Sequence, residues 1–197
     1  MANITPLDRS DLPEFEPVFE LTEAAMGFVP RSMYTMGRNP ALLGAFAQLA
    51  GTVLGPGNVD GGVKQLVAHV ASTAAGCRYC QAHTASSAAR NGVAADKVEA
   101  VWSFETDDRF SNAERAALRL ARDAATVPNA TTPGHFADLA PHFSDDQVVE
   151  LVAVISLFGW LNRWNDTMAT DLEDEPLGFG REHLTAQGWD PGKHAHP

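Results

Sequence analysis

Twice in this chain a serine stands three residues ahead of a glutamate or glutamine at the head of an apolar run: Ser111-Asn112-Ala113-Glu114 and Ser144-Asp145-Asp146-Gln147. In such a capping box the hydroxyl accepts from the third backbone N–H, and the acid or amide reaches back to the serine N–H, so both segments open helices. The run after the second box, VVELVAVISLFGWLNRWNDTMATDL, is long and helix-periodic. Asn39-Pro40 supplies another start for a helix to about Leu54, where Gly55-Pro56-Gly57 breaks the chain. Asp60 caps the next helix, to about Ala75, and a further one begins near Cys77 and stops at Asn91-Gly92. Shorter helices are expected from Pro17 to Met26, from Ala94 to Phe104 and from Thr132-Pro133 to Ala140, with Gly27 to Arg38 as a connector. No stretch alternates with period two between turn signals, so the fold class is all-α.

A chain of 197 residues makes one domain, or two small halves around one core, and needs no disulfide staples to bury it. The net charge of −11 argues against nucleic acid and against an anionic membrane surface, both of which need basic patches. No apolar run approaches the ~20 residues of a spanning helix. The first residues show no basic region followed by an apolar run, so no secretory signal is expected and the cytoplasm is the expected compartment. Val63–Ala85 and Val148–Thr170 match in pattern at an offset of 85, with Cys77 and Cys80 falling on Asn162 and Asn165. Read physically, this pattern describes two related helical units in one domain.

Cys77 and Cys80 are the only cysteines, within GCRYCQAH at 76–83. In a reducing compartment CxxC spacing points to catalysis or metal binding before structure. On a helical turn, i and i+3 share a face with Cβ atoms ~5–6 Å apart, close enough for a disulfide after small adjustment. A thiol in a first turn feels unpaired backbone N–H groups and the helix dipole, which favour its thiolate. His83, on the same face, can hydrogen-bond the thiolate directly or through water and shuttle a proton. The chemistry expected is a dithiol cycle. One sulfur attacks an oxidant and becomes a sulfenic acid, the other condenses with it to a disulfide, and a reductant reopens the bond.

Other readings stay open at this point. A structural disulfide across so small a loop gains only ~2 kcal/mol. A zinc site can take Cys77, Cys80 and His83, with His69 or an acid as fourth ligand. Two inert thiols on a packed helix are the plainest reading. His69 itself reads as a core histidine, and His135, His142, His183, His194 and His196 take no role. Trp160 and Trp164, with Phe158, read as core. Asp171, Glu173, Asp174 and Glu175 read as a solvated helix end.

GCRYCQAHTA (76–85), with FSNAERAALRLA (110–121) and LNRWNDTMA (161–169), resembles the carboxymuconolactone decarboxylase-like superfamily in its alkylhydroperoxidase D-like, peroxidase-related branch. The resemblance implies an alkylhydroperoxidase D-like helical domain over 36–178, after an N-terminal extension of 1–35 with one short helix. The tail of 179–197 is expected to wrap or fray. The resemblance further implies a homo-oligomer, a trimer or hexamer, with the thiols near subunit contacts and no cofactor. It makes Cys80 the peroxide-attacking sulfur, Cys77 the resolving one and His83 the accessory histidine, although the best-known members carry that histidine where this chain has Thr84. The family's relay glutamate, twelve residues before the first cysteine, is here Gln65, which cannot titrate; His69, one turn on, is a candidate substitute. The function so implied is thiol peroxidase activity on a small organic hydroperoxide, with a thioredoxin- or lipoyl-type reductant. The alternatives are a decarboxylase-like or other lyase activity in the same fold, and a redox-sensing or assembly protein without turnover.

Overall fold

The computed structural model describes residues 2–195, so His196 lies outside them. Among the described residues there are ten α-helices and no strand. They are α1 (Glu16–Met26), α2 (Arg31–Met36), α3 (Pro40–Leu54), α4 (Gly61–Ala74), α5 (Arg78–Arg90), α6 (Ala95–Glu99), α7 (Asn112–Ala124), α8 (Pro133–Leu139), α9 (Asp145–Met168) and α10 (Asp174–His183). The caps fall where local chemistry puts them: Asn39 accepts from Leu42 N–H, Asp60 from Val63 N–H, and both arms of the boxes at Ser111 and Ser144 are made.

Three expectations need correction. The connector after Gly27 contains α2, which has no capping side chain at its own N-cap, Pro30, and is held by the burial of Met33 and Met36 and by the distant Glu173 carboxylate on Arg31 N–H. The helix expected to reach Phe104 ends at Glu99 and continues as a 3₁₀ turn over Val101–Ser103. The tail, expected to wrap or fray, wraps, and does so through a helix that was not expected: past Glu175 the chain continues in α10, and Trp189 and His194 are buried beyond it.

α4 is the central rod, packed against α5, α7 and α9. Leu66, Val67, Ala68, Val70 and Ala71 are all sealed from solvent, each large side chain contributing ~1.5–3 kcal/mol on burial. Lys64 is only 2% exposed. Its ammonium donates to the Val53 and Gly55 carbonyls at 3.1 and 3.0 Å, closing the C-terminus of α3, and pairs with Glu150 Oε2 at 3.1 Å. Glu150 also accepts from Asn58 and Val59 N–H at 2.8 and 3.1 Å. These backbone donors and Lys64 hold its carboxyl down to about 2, and it serves as a clip for the loop.

The two segments matched at an offset of 85 differ in local structure. The first copy breaks at Gly76, whose φ of +79° suits a residue without Cβ, whereas the second runs unbroken through α9. No helix among the described residues is long and apolar enough to cross a membrane.

Candidate active site

The turn between α4 and α5 builds the site. Gly76 N–H bonds to Thr73 O at 3.0 Å and Cys77 N–H to Ser72 O at 3.2 Å, the two-bond finish of a helix ending on a left-handed glycine. Cys77 is at the same time the N-cap of α5, with Cys80 N–H donating to its sulfur at 3.5 Å. The two sulfurs therefore share the opening turn of a helix, and both are free thiols. A hydrogen bond from the Cys80 thiol holds the Cys77 thiol below its ordinary range against the opposing effect of burial, and the Cys80 N–H adds to the stabilisation of its anion. Burial, and then the neighbouring Cys77 sulfur, push Cys80 well above that range, although Asn165 Nδ2–H donates to its sulfur at 3.5 Å. These surroundings make Cys77 the more acidic of the two thiols.

His83 finds a different partner from the one expected. Its Nε2–H donates to Glu173 Oε2 at 2.5 Å. Glu173 also accepts from Tyr79 O–H at 3.0 Å and Arg31 N–H at 2.5 Å through Oε1. Tyr79 stacks on His83 with centroids 4.2 Å apart, and Phe28 meets the imidazole edge-on at 5.4 Å. Burial raises the Glu173 carboxyl, but the His83 charge and these hydrogen bonds outweigh it and hold it down. The acidic run is accordingly not one solvated helix end: Asp171 and Glu173 are buried, while Asp174 and Glu175 are exposed. Trp160 is likewise not core. It is part-exposed and sits in a ladder between Phe46 and Trp164, at 5.4 and 5.3 Å.

His69 is buried and joins α4 to α5. Its Nδ1–H is shared between Gln81 O and Thr84 Oγ1, both at 3.1 Å, and burial lowers its pKa to about 4. Gln65 is half-buried on α4, and no hydrogen bond joins it to either sulfur among the described residues.

The Cys77 and Cys80 residues are 1% and 2% exposed. A strap from Leu184 to His194 contributes to this cover: Trp189 Nε1–H donates to Arg78 O at 3.1 Å, and Gly180 lies so close beneath the Trp189 ring that a Cβ there would meet it at 2.6 Å. A cavity of about 240 Å³ flanks the same turn, lined by Gly76, Arg78, Gln81, Trp102 and Trp189 among others, but neither sulfur reaches its wall. Asn165, Asp166, Glu173 and His194 are the neighbours that reasoning from sequence missed. The overlay of Cys80 on Asn165 was a signal for the first, since those two residues touch.

These features define a helical protein with a vicinal dithiol on a capped turn. Residues 40–123 match the carboxymuconolactone decarboxylase family, and the chain carries a domain of that family. Among solved structures it is similar to the debrominase Bmp8, crystallised as a cysteine-to-alanine variant with 2,3,4-tribromopyrrole: 37% identity, 92% of this chain and 99% of that one, TM-score 0.87. The alkylhydroperoxidase AhpD core of an uncharacterized peroxidase-related protein from Ralstonia eutropha JMP134 shares the fold at TM-score 0.79, with 20% identity over 91% of this chain and 96% of that one. The uncharacterized protein YnjA of Escherichia coli (strain K12) is 32% identical over 92 residues, 47% of this chain and 50% of YnjA. The chain spans about half the length of the curated relatives it matches.

Proposed function

We propose that this chain is a dithiol reductase that delivers two electrons to a small electrophile as Cys77 and Cys80 close to a disulfide. The observation that carries the reading is the shared turn, in which both free thiols sit and the Cys77 sulfur accepts from the Cys80 N–H. Because Cys77 is the more acidic thiol, it opens the reaction and Cys80 closes it, the reverse of the roles implied by family resemblance. His83, one turn past Cys80 and held by Glu173, is the group we assign to the proton transfer.

Two substrate classes satisfy this chemistry. A hydroperoxide and two thiols give an alcohol, water and the disulfide. A brominated arene and two thiols give the debrominated arene, bromide, a proton and the disulfide. The likeness to a debrominase along nearly the whole of both chains favours the second, as do the aromatic walls that Trp102 and Trp189 give the flanking cavity. A thioredoxin- or lipoyl-type dithiol recycles the enzyme. Since both sulfurs are covered, the strap carrying Trp189 and His194 moves aside for substrate.

The test is to give reduced protein one equivalent of cumene hydroperoxide or of a brominated pyrrole, without air, and to count thiols and product. Loss of two thiols with matching alcohol or bromide supports the reading, and unchanged thiols with both substrates refute it. Turnover with added dithiol then separates an enzyme from a redox sensor. Cys77→Ser abolishes the first step, whereas Cys80→Ser allows a single attack that cannot resolve; equal loss in both variants overturns the order of the sulfurs.

A further inference from the structure

Three donors of different chemistry converge behind the dithiol. Cys77 Sγ, an Asp166 carboxylate oxygen and a His194 ring nitrogen lie within 4.8 Å of one another. They come from the cap of α5, from α9 and from the strap. Thr170 O lies 2.7 Å from His194 Nδ1. A carbonyl can only accept, so Nδ1 carries the proton and Nε2 presents its lone pair. That nitrogen is buried without a hydrogen-bond partner, in a residue 1% exposed. Asp166 Oδ1, at 3.6 Å, is too far to serve as one. Lys193 holds the other Asp166 oxygen at 2.9 Å, which leaves Oδ1 toward the imidazole.

An orphaned buried lone pair is costly. One cation held between the three donors would remove that penalty. A backbone carbonyl that fixes the tautomer behind a histidine is also how metal-ligating imidazoles are oriented. We propose that Cys77, Asp166 and His194 bind a divalent ion of the Zn²⁺ class, with a fourth position open to water. A mixed sulfur, nitrogen and oxygen donor set selects such an ion over Mg²⁺ or Ca²⁺, which take oxygen shells. Ligands at ~2.0–2.3 Å from Zn²⁺ stand ~3.3–3.8 Å apart, so a contraction of about 1 Å closes the site. Asp166, half-exposed on α9, can supply much of that movement.

The site stands on this geometry alone. Its consequence rests on the dithiol reading above: an ion on Cys77 occupies the sulfur that opens the reaction and holds the pair reduced.

The experiment uses the full chain, reduced with a phosphine, stripped with chelator, and titrated with Zn²⁺ against a chromophoric competitor. A parallel titration with Co²⁺ reads sulfur ligation by its thiolate charge-transfer band, and excess Mg²⁺ serves as the oxygen-seeking control. One ion per chain is expected, with the cobalt–thiolate band present, Mg²⁺ unable to compete, and Cys77 alkylation slowed at least ~10-fold by Zn²⁺. His194→Gln and Asp166→Asn should each weaken binding at least ~10-fold; the latter alters a half-exposed side chain and spares the core. Wild-type binding no tighter than that of Cys77→Ser, or unchanged affinity in both His194→Gln and Asp166→Asn, overturns the proposal. Zinc loading by a dithiol that consumes no electrophile would remove the reductase reading and leave the metal site. Electrophile reduction by a chain that binds no zinc would do the opposite.

Discussion

Cys77 and Cys80 sit on one turn, yet their surroundings drive their acidities apart. Alkylation requires the thiolate, and an ordinary cysteine titrates near ~8.5. As pH is raised from the acid side, Cys77 should label first and Cys80 only under alkaline conditions. Peptide mapping of iodoacetamide adducts against pH reads this, and Cys80 labelling first or in step would refute the assignment. Glu173 makes a second case. Its carboxyl is depressed in the folded chain, so its stabilising contribution is present above the unfolded value of ~4.3 and is lost as pH falls through the folded value. Glu173→Gln should therefore cost ~1–3 kcal/mol near pH 7, with the gap from wild type narrowing toward pH 3. A gap that stays constant in denaturant titrations across that range would refute the ionic role. The cysteine pair was legible in the sequence because three residues on one helix is a local relation. Glu173 was not, because its partners Tyr79 and His83 lie 94 and 90 positions away and only packing brings them together. The same applies to His194, which no nearby motif distinguishes from the other tail residues.

At the scale of elements, the chain announced its helix starts and concealed its tertiary helices. Asn39, Asp60, Ser111 and Ser144 cap because each reaches a donor three residues ahead, a relation any sequence displays. α2 has no such signal; two buried methionines hold it in place. The overlay of 63–85 on 148–170 is limited for a related reason, since matching apolar positions do not reveal that one segment turns at Gly76 and the other continues as α9. That glycine is testable. No atom lies within 4 Å of a Cβ built there, so Gly76→Ala meets only the backbone cost of a left-handed residue, ~1–2 kcal/mol. Thermal unfolding should report that loss, and the Cys77 labelling profile should shift with it. A variant as stable as wild type would show that the turn tolerates a side chain.

For the molecule as a whole, α3 and α9 leave Leu49, Val149, Val152 and Trp160 exposed, continuous with the Phe46–Trp160–Trp164 ladder. The strap has another implication. Trp189 reaches back to Arg78 across 111 positions of chain. During synthesis the ribosome therefore releases the thiols long before it releases what covers them, and the nascent protein passes through an interval in which its most oxidisable atoms stand open to the cell.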